Sequence, residues 1–205
     1  MKFYYAPGTV SVASAYLLEE TGVAYDPHRI DFKTSEQTSP EYLAINPKAR
    51  VPALVTDEGI LTETGAILEY LAGLVPDRAL VPADAWQAAQ MRSVMYYLAS
   101  TAHVNHAHKH RGHRWATQQS SFDDMTAKVP ETMAAACRFM EDTWPLSPFV
   151  LGDAMSVADP YLFSVCTWLE GDGVTIADYP KLAAHFAMMS ARPAAAVLRD
   201  KGITR

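Results

Sequence analysis

The sequence predicts two domains of different class: an α/β domain built on a small mixed sheet, followed by an all-helical domain. Three observations predict it. Over residues 1–76, short apolar runs of strand length alternate with helical runs. Asp57-Glu58-Gly59 reads as a hairpin turn, whereas the first two strand-like runs are separated by a helical crossover, so antiparallel and parallel pairings share one sheet. After Val75-Pro76-Asp77-Arg78 and on to Val81-Pro82, only helical periodicity remains. The expected division is residues 1–76, a linker at 77–83, and a helical domain at 84–205.

Composition limits the function. A chain of 205 residues with 49% hydrophobic content can bury one large core or two smaller ones. A formal net charge of -6 argues against nucleic acid as a partner. No apolar run is long enough to span a bilayer, and Met1-Lys2 leads straight into a strand-like run without a signal-peptide pattern. A cytoplasmic location is the expectation. Cys137 and Cys166 form no metal-ligand or redox spacing and read as buried free thiols.

In chain order, Lys2 to Tyr5 is a strand broken by Pro7-Gly8. A helix starts near Val10, with Ala13, Tyr16 and Leu17 on one face, and closes at Gly22. Tyr25 to Phe32 is a second strand. Ser39-Pro40-Glu41 opens a short helix to about Ile45, with proline in the first position. Val51 to Thr56 and Ile60-Leu61 are the third and fourth strands, and Thr64 to Leu74 is a helix. The order βαβ then αββα is that of the thioredoxin fold. Beyond the linker, Asp84 to about His113 reads as one long helix, and Thr126 to Trp144 as a second ended by Pro145 and Pro148. Ser156-Val157-Ala158-Asp159 is a capping box ahead of a buried helix carrying Tyr161, Leu162, Val165, Trp168 and Leu169. Losing such a cap is expected to cost about 1 kcal/mol. Tyr179-Pro180 and Pro193 open the last two helices.

The stretch Asn46-Pro47-Lys48-Ala49-Arg50-Val51-Pro52-Ala53-Leu54 points to a ligand. Proline cannot donate to a sheet ladder, so Val51-Pro52 belongs at a strand start. A cis bond there would leave the Val51 backbone facing outward, free to pair with a ligand's own peptide bond. Glu63-Thr64 then stands at a helix start, where a hydroxyl and free amides hold a carboxylate and a glutamate holds an ammonium. A ligand with a peptide middle and an amino-acid end, such as glutathione, fits both.

These residues resemble the glutathione transferase family. The opening, with Tyr4-Tyr5-Ala6-Pro7-Gly8 and Ser11-Val12-Ala13-Ser14, is similar to its bacterial beta class. The resemblance runs over essentially the whole chain. It implies a thioredoxin-like domain followed by an all-α domain, a homodimer, glutathione as co-substrate and no metal. It also implies conjugation of the glutathione thiolate to small apolar electrophiles. Val51 would pair with the cysteinyl backbone, Pro52 would be structural, and Glu63 and Thr64 would hold the γ-glutamyl end. Lys33 and Arg50 are candidates for the glycyl carboxylate. The position where the beta class has its cysteine is Val10, which cannot form a mixed disulfide. Tyr96 stands where the beta class has an asparagine reaching the partner subunit's glutathione.

Catalysis requires the thiol as thiolate, and a free thiol has a pKa near 8.5, so the site must supply donors and positive field. Ser11 is the first candidate donor, with Tyr5 and Thr9 as competitors; the alternative role for Ser11 is a helix cap. His103, His106, His110 and His113 share a helical face by their spacing, with His108 nearby. His103 matches a histidine that lines the beta-class site. It would hydrogen-bond the thiol or orient the second substrate. Val10, Tyr96, His106 and Trp115 are candidates for the electrophile pocket. Other readings are a glutathione-dependent peroxidase, dehalogenase or isomerase, and a non-catalytic ligand-binding or partner-binding protein on the same fold.

Overall fold

The computed structural model describes residues 1–204. Strand β1 (Lys2–Tyr5) is central. It pairs in parallel with β2 (Asp26–Arg29) and antiparallel with β3 (Ala53–Thr56), which forms a hairpin with β4 (Gly59–Thr62). The sheet order is β2-β1-β3-β4. Alternation along β1 decides the layers. Phe3 and Tyr5 enter the main core with Leu54, under α1 (Ser11–Thr21) and α3 (Thr64–Gly73). Tyr4 points to the other face, against Tyr42 of the short helix α2 (Pro40–Leu43), beside Ile30 and Val51.

Two strands are shorter than their apolar runs suggest. β2 stops at Arg29, and β3 starts at Ala53, which leaves Val51-Pro52 outside the ladder. Pro27 is tolerated because β2 is an edge strand. Gly22 closes α1 at φ +72°, a conformation open to glycine, and its N–H reaches Leu18 C=O.

The helical part holds α4 (Ala85–Tyr97), α5 (His103–Arg111), α6 (Gln119–Thr143), α7 (Ala158–Cys166), α8 (Pro180–Ser190) and α9 (Pro193–Asp200). The single helix expected over 84–113 is interrupted. Leu98–Ala102 is a π turn, which inserts one residue into the helical phase before His103. Helix α6 begins at Gln119, well before Thr126. Its first turns are largely exposed, with Phe122 and Met125 partly buried against Gly112, and Pro130 lies inside it. No helix among the described residues is long and apolar enough to cross a membrane.

Helix α1 joins the two halves. Nearly all of it is buried, because it packs on the sheet side against α3 and on the other side against α7 and α9. Tyr16 donates its hydroxyl to Met189 C=O (2.8 Å), and Arg192 pairs with Glu20. Every residue of α7 is buried. Its capping box does more than cap. Asp159 Oδ2 accepts from Ser156 N–H (2.7 Å) and Ser156 Oγ (3.2 Å), while Oδ1 accepts from Val150 N–H (2.8 Å) and lies 3.0 Å from His185 Nε2. One fully buried carboxylate therefore satisfies a helix start, a loop and a facing helix.

Ser156→Ala is expected to cost about 1 kcal/mol, as for an ordinary cap. Asp159→Ala strands several buried polar groups and is expected to cost about 3–5 kcal/mol. Urea denaturation of both variants checks the difference; equal losses would reduce Asp159 to a simple cap.

Candidate functional site

The site collects where β1 ends. Tyr4 pairs with Ala53 and Ala53 with Thr62, so the loop after β1, the segment before β3 and the tip of α3 lie at one end of the sheet. In the loop, Thr9 Oγ1 donates to Ala6 C=O (2.7 Å) and sits 2.5 Å from Ser11 Oγ. Ser11 Oγ also accepts from Ala6 N–H (3.3 Å). Ser11 has no exposed surface and does not line the cleft. Its place in the first turn of α1 turns the hydroxyl inward, so it braces the loop. Tyr5 is buried and stacked on Phe3, as strand alternation dictates. Of the three candidate hydroxyls, Thr9 is the one at the cleft, between Gly8 and Val10. The N–H of Val10 has no partner among the described residues and points from the electropositive start of α1.

The Val51-Pro52 bond is cis. Tyr42 Oη (2.7 Å) and Asn46 Nδ2 (2.6 Å) both donate to Arg50 C=O, which explains the buried Asn46 of the motif. Among the described residues neither backbone group of Val51 is hydrogen-bonded, and Val51 lines the cleft. Glu63 turns the chain from β4 into α3 at φ +74°, a conformation that costs a non-glycine residue about 1–3 kcal/mol and recurs at ligand clamps. Lys48 reaches Thr62 Oγ1 (2.8 Å) and Glu63, tying the Val51 segment to the α3 tip. Ile67 N–H is the first to close back, onto Glu63 C=O (3.0 Å). The N–H groups of Thr64, Gly65 and Ala66 thus precede the ladder, and nothing stands over Gly65. Thr64 itself is buried beside the Tyr161 phenol, so the backbone at this tip is more accessible than the hydroxyl. Glu63 and Thr64 border the edge beyond the cleft lining.

The opposite wall is helical. The cleft, of about 400 Å³, is lined on that side by His103, His106, His110, Arg111, Arg114, Trp115 and Trp168. His113 falls in the turn after α5 and is exposed, because the helix ends at Arg111. Burial, with cationic or protonatable neighbours His106, Arg111, Arg114 and Arg50, pulls the His103 imidazole down to about 4. It is therefore neutral at pH 7 and acts as a hydrogen-bonding group, not a cation. His106 is fixed twice: Nδ1 lies 2.7 Å from Oδ2 of the buried Asp172, and its ring stacks on Trp168 at 4.2 Å. Lys109 shares Asp172 at 3.5 Å and also reaches Gly171 C=O.

Three expected site residues lie elsewhere or at the margin. Lys33 is exposed after β2, outside the cleft lining, where Phe32 takes its place. Tyr96 is 68% exposed on α4, ahead of the π turn, and faces away. Trp115 reaches the cleft as a half-exposed rim, edge-on to His108. Sequence reasoning missed Gly8, whose N–H donates to Ile203 C=O (3.0 Å) and whose C=O accepts from Trp168 Nε1 (3.1 Å). It also missed the grouping of Arg111 and Arg114 with Arg50, and the role of Asp172. Among the described residues no three His, Cys, Asp or Glu side chains converge as metal ligands. Cys137 and Cys166 are buried free thiols, and burial pushes both up, Cys137 to about 12.

Comparison with known proteins bears on the family and the fold. The family described as "Glutathione S-transferase, N-terminal domain" matches residues 1–73, and "Glutathione S-transferase, C-terminal domain" matches 113–187. A crystal structure of a glutathione transferase homologue from Sulfitobacter, with bound glutathione, is 59% identical with a TM-score of 0.96, over 98% of each chain. A bacterial beta-class glutathione S-transferase from Sphingomonas chungbukensis is 29% identical with a TM-score of 0.85, over 99% of this chain and 100% of that one. A maleylacetoacetate isomerase from Pseudomonas aeruginosa is 30% identical, over 95% of this chain and 96% of its own. With the thioredoxin-like sheet, the helical second half and these matches along both, the chain belongs to the glutathione S-transferase family.

Proposed function

We propose that this protein conjugates the glutathione thiolate to small electrophiles with an apolar body, as a cytoplasmic homodimer. One observation carries the reading: an unpaired Val51 edge, tied through Lys48 to the open tip of α3, faces the Thr9–Val10 turn across a single cleft. Val51 would pair with the cysteinyl backbone. The α3 amides would hold the γ-glutamyl carboxylate and Glu63 its ammonium. Arg50, next to Val51, would meet the glycyl carboxylate. This lays the sulfur beside the Val10 N–H and Thr9 Oγ1, whose one proton would turn from Ala6 C=O to the sulfur, leaving Ser11 Oγ to donate to Ala6 C=O. The thiol proton leaves to solvent, and the thiolate is held by those donors and the positive end of α1. The sulfur then bonds to the electrophilic carbon as a leaving group, or the π electron pair of an unsaturated substrate, departs from that carbon. With Val10 in place of a cysteine, no protein thiol stands at the sulfur to make a mixed disulfide.

A glutathione-dependent isomerase is the second reading. It is favoured by the similarity to the Pseudomonas aeruginosa enzyme across nearly the whole chain. Product analysis with aryl halides, hydroperoxides and a cis-alkene diacid separates conjugation, peroxide reduction and isomerisation. Failure of glutathione to bind in calorimetry would remove all three.

Thr9→Val is expected to lower turnover by roughly ten- to a hundredfold through loss of one donor to the sulfur. The thiolate absorbance of bound glutathione should shift to higher pH, with glutathione affinity little changed. An unaltered titration would transfer the role to the Val10 N–H alone.

His103 bears on the pH profile. Its folded value is depressed below the ordinary 6.5, so the neutral form is favoured in the native state and the stability it contributes is lost as pH falls from about 6.5 toward 4. The acid limb of the rate profile above pH 5 should then belong to the glutathione thiol and survive His103→Asn. An imidazole resonance of His103 titrating near 6.5 would contradict this.

Trp86 and Tyr96 are 71% and 68% exposed and lie within about 80° of each other around α4, an apolar stripe suited to a second copy of the chain. Light scattering should report a dimer for the native protein and a monomer for a Trp86→Glu, Tyr96→Glu variant. A monomeric native protein would refute the assembly.

A further inference from the structure

Arg50, Arg111 and Arg114 bring three guanidinium groups into one cleft of a chain whose net charge is -6. None of them belongs to an ion pair among the described residues. Two half-buried arginines elsewhere, Arg92 and Arg192, have each found a carboxylate. The three also act on each other. Burial and Arg50 lower the Arg111 guanidinium, and Arg114 is pulled down to about 10 by burial, Arg111 and Arg50. Unrelieved repulsion of this kind stabilises nothing in the empty protein. It is relieved when anions enter.

Counting charges on glutathione shows how many anions the tripeptide itself supplies. In the reading proposed above, Glu63 takes the ammonium, the α3 amides the γ-glutamyl carboxylate, the Thr9–Val10 turn the thiolate, and Arg50 the glycyl carboxylate. Arg111 and Arg114 remain. They stand on the helical wall, on the same side as His103 and His106, where the second substrate must approach the sulfur. Around them are flat apolar surfaces: Arg111 lies 5.7 Å over the Phe32 ring, Trp115 forms the rim, and Trp168 forms the floor beside His106. A guanidinium pair beside aromatic walls matches a carboxylate fixed to a planar body.

We infer that Arg111 and Arg114 form an anion subsite for the second substrate, and that the preferred electrophiles are small aromatic or unsaturated organic acids. This rests on the glutathione-transfer reading. The chemistry of transfer is unchanged: sulfur bonds to the electrophilic carbon, the leaving group or electron pair departs from it, and the carboxylate stays bound as an anchor.

The test compares the binding of stable conjugates by calorimetry: S-benzylglutathione, S-(4-carboxybenzyl)glutathione, and the 4-carboxamide analogue as a neutral control. The carboxylate should bind at least about tenfold more tightly than the other two. In the Arg111→Gln, Arg114→Gln variant the three affinities should fall within about twofold of one another, with S-benzylglutathione bound as before. Thermal melting of the variant controls for folding, and Arg114→Lys should retain part of the preference. Equal binding of all three conjugates to the native protein would overturn the subsite while leaving glutathione transfer standing. Equal weakening of all three in the variant would also overturn it, because the guanidiniums would then serve the glycyl carboxylate. If glutathione and every conjugate fail to bind, the transfer reading falls and the subsite with it.

Discussion

The peptide at Gly8 is held from two sides. Its N–H donates to Ile203 C=O, and its C=O accepts from the indole of Trp168. Both partners come from the far end of the chain, so the turn that presents Thr9 and Val10 is set by the helical half and not by the sheet alone. Gly8 adopts φ +68° there, a conformation that a side chain would strain. Trp168 meanwhile stacks on His106, and His106 is anchored to the buried Asp172. One chain of contacts therefore runs from the turn of Thr9 and Val10 through an indole and an imidazole to a carboxylate in the helical core. The two walls of the cleft cannot be placed independently.

Electrostatics give that cleft its character. The protein is acidic overall, yet its cleft collects arginine and histidine, and among the described residues no carboxylate lines it. Burial beside those cations keeps His103 neutral, which leaves the positive field to the guanidiniums and to the start of α1. Asp172 is withdrawn behind His106 and Lys109, where it orients them without lining the cleft. This division between inward anion and outward cation suits a site whose ligand carries more negative charge than positive.

Much of the fold could be read from periodicity and turn residues, because both depend on local geometry. Gly22, Ser39-Pro40, the Asp57–Gly59 turn and the box at Ser156–Asp159 each mark an element boundary that the structure contains. The Val51-Pro52 segment was legible for the same reason: proline restricts where the chain can go. Long-range placement was not legible. A serine at the first turn of α1 looks like a donor to a ligand, and only the packing of α1 under the loop shows Ser11 turned to Ala6. Asp172 reads as an ordinary loop acid until α5 is laid beside it. The start of α6 carries Phe122, Met125 and Val129 at helical spacing but no side-chain cap, so nothing in the sequence marks Gln119 as its first residue. The π turn leaves no compositional mark, since Leu98–Ala102 would suit a regular helix equally well.

That turn has a consequence for how such a protein changes over generations. It stores one surplus residue between a buttress packed by Met91, Val94 and Met95 and a wall carrying His103 and His106. A π turn takes up that residue as a local bulge, so the helix beyond it keeps nearly the phase it would have without it. Loss of a single codon there would restore an unbroken spiral while His103 and His106 kept facing the cleft. Length variation within one short segment is thus absorbed without moving the side chains that greet an incoming molecule.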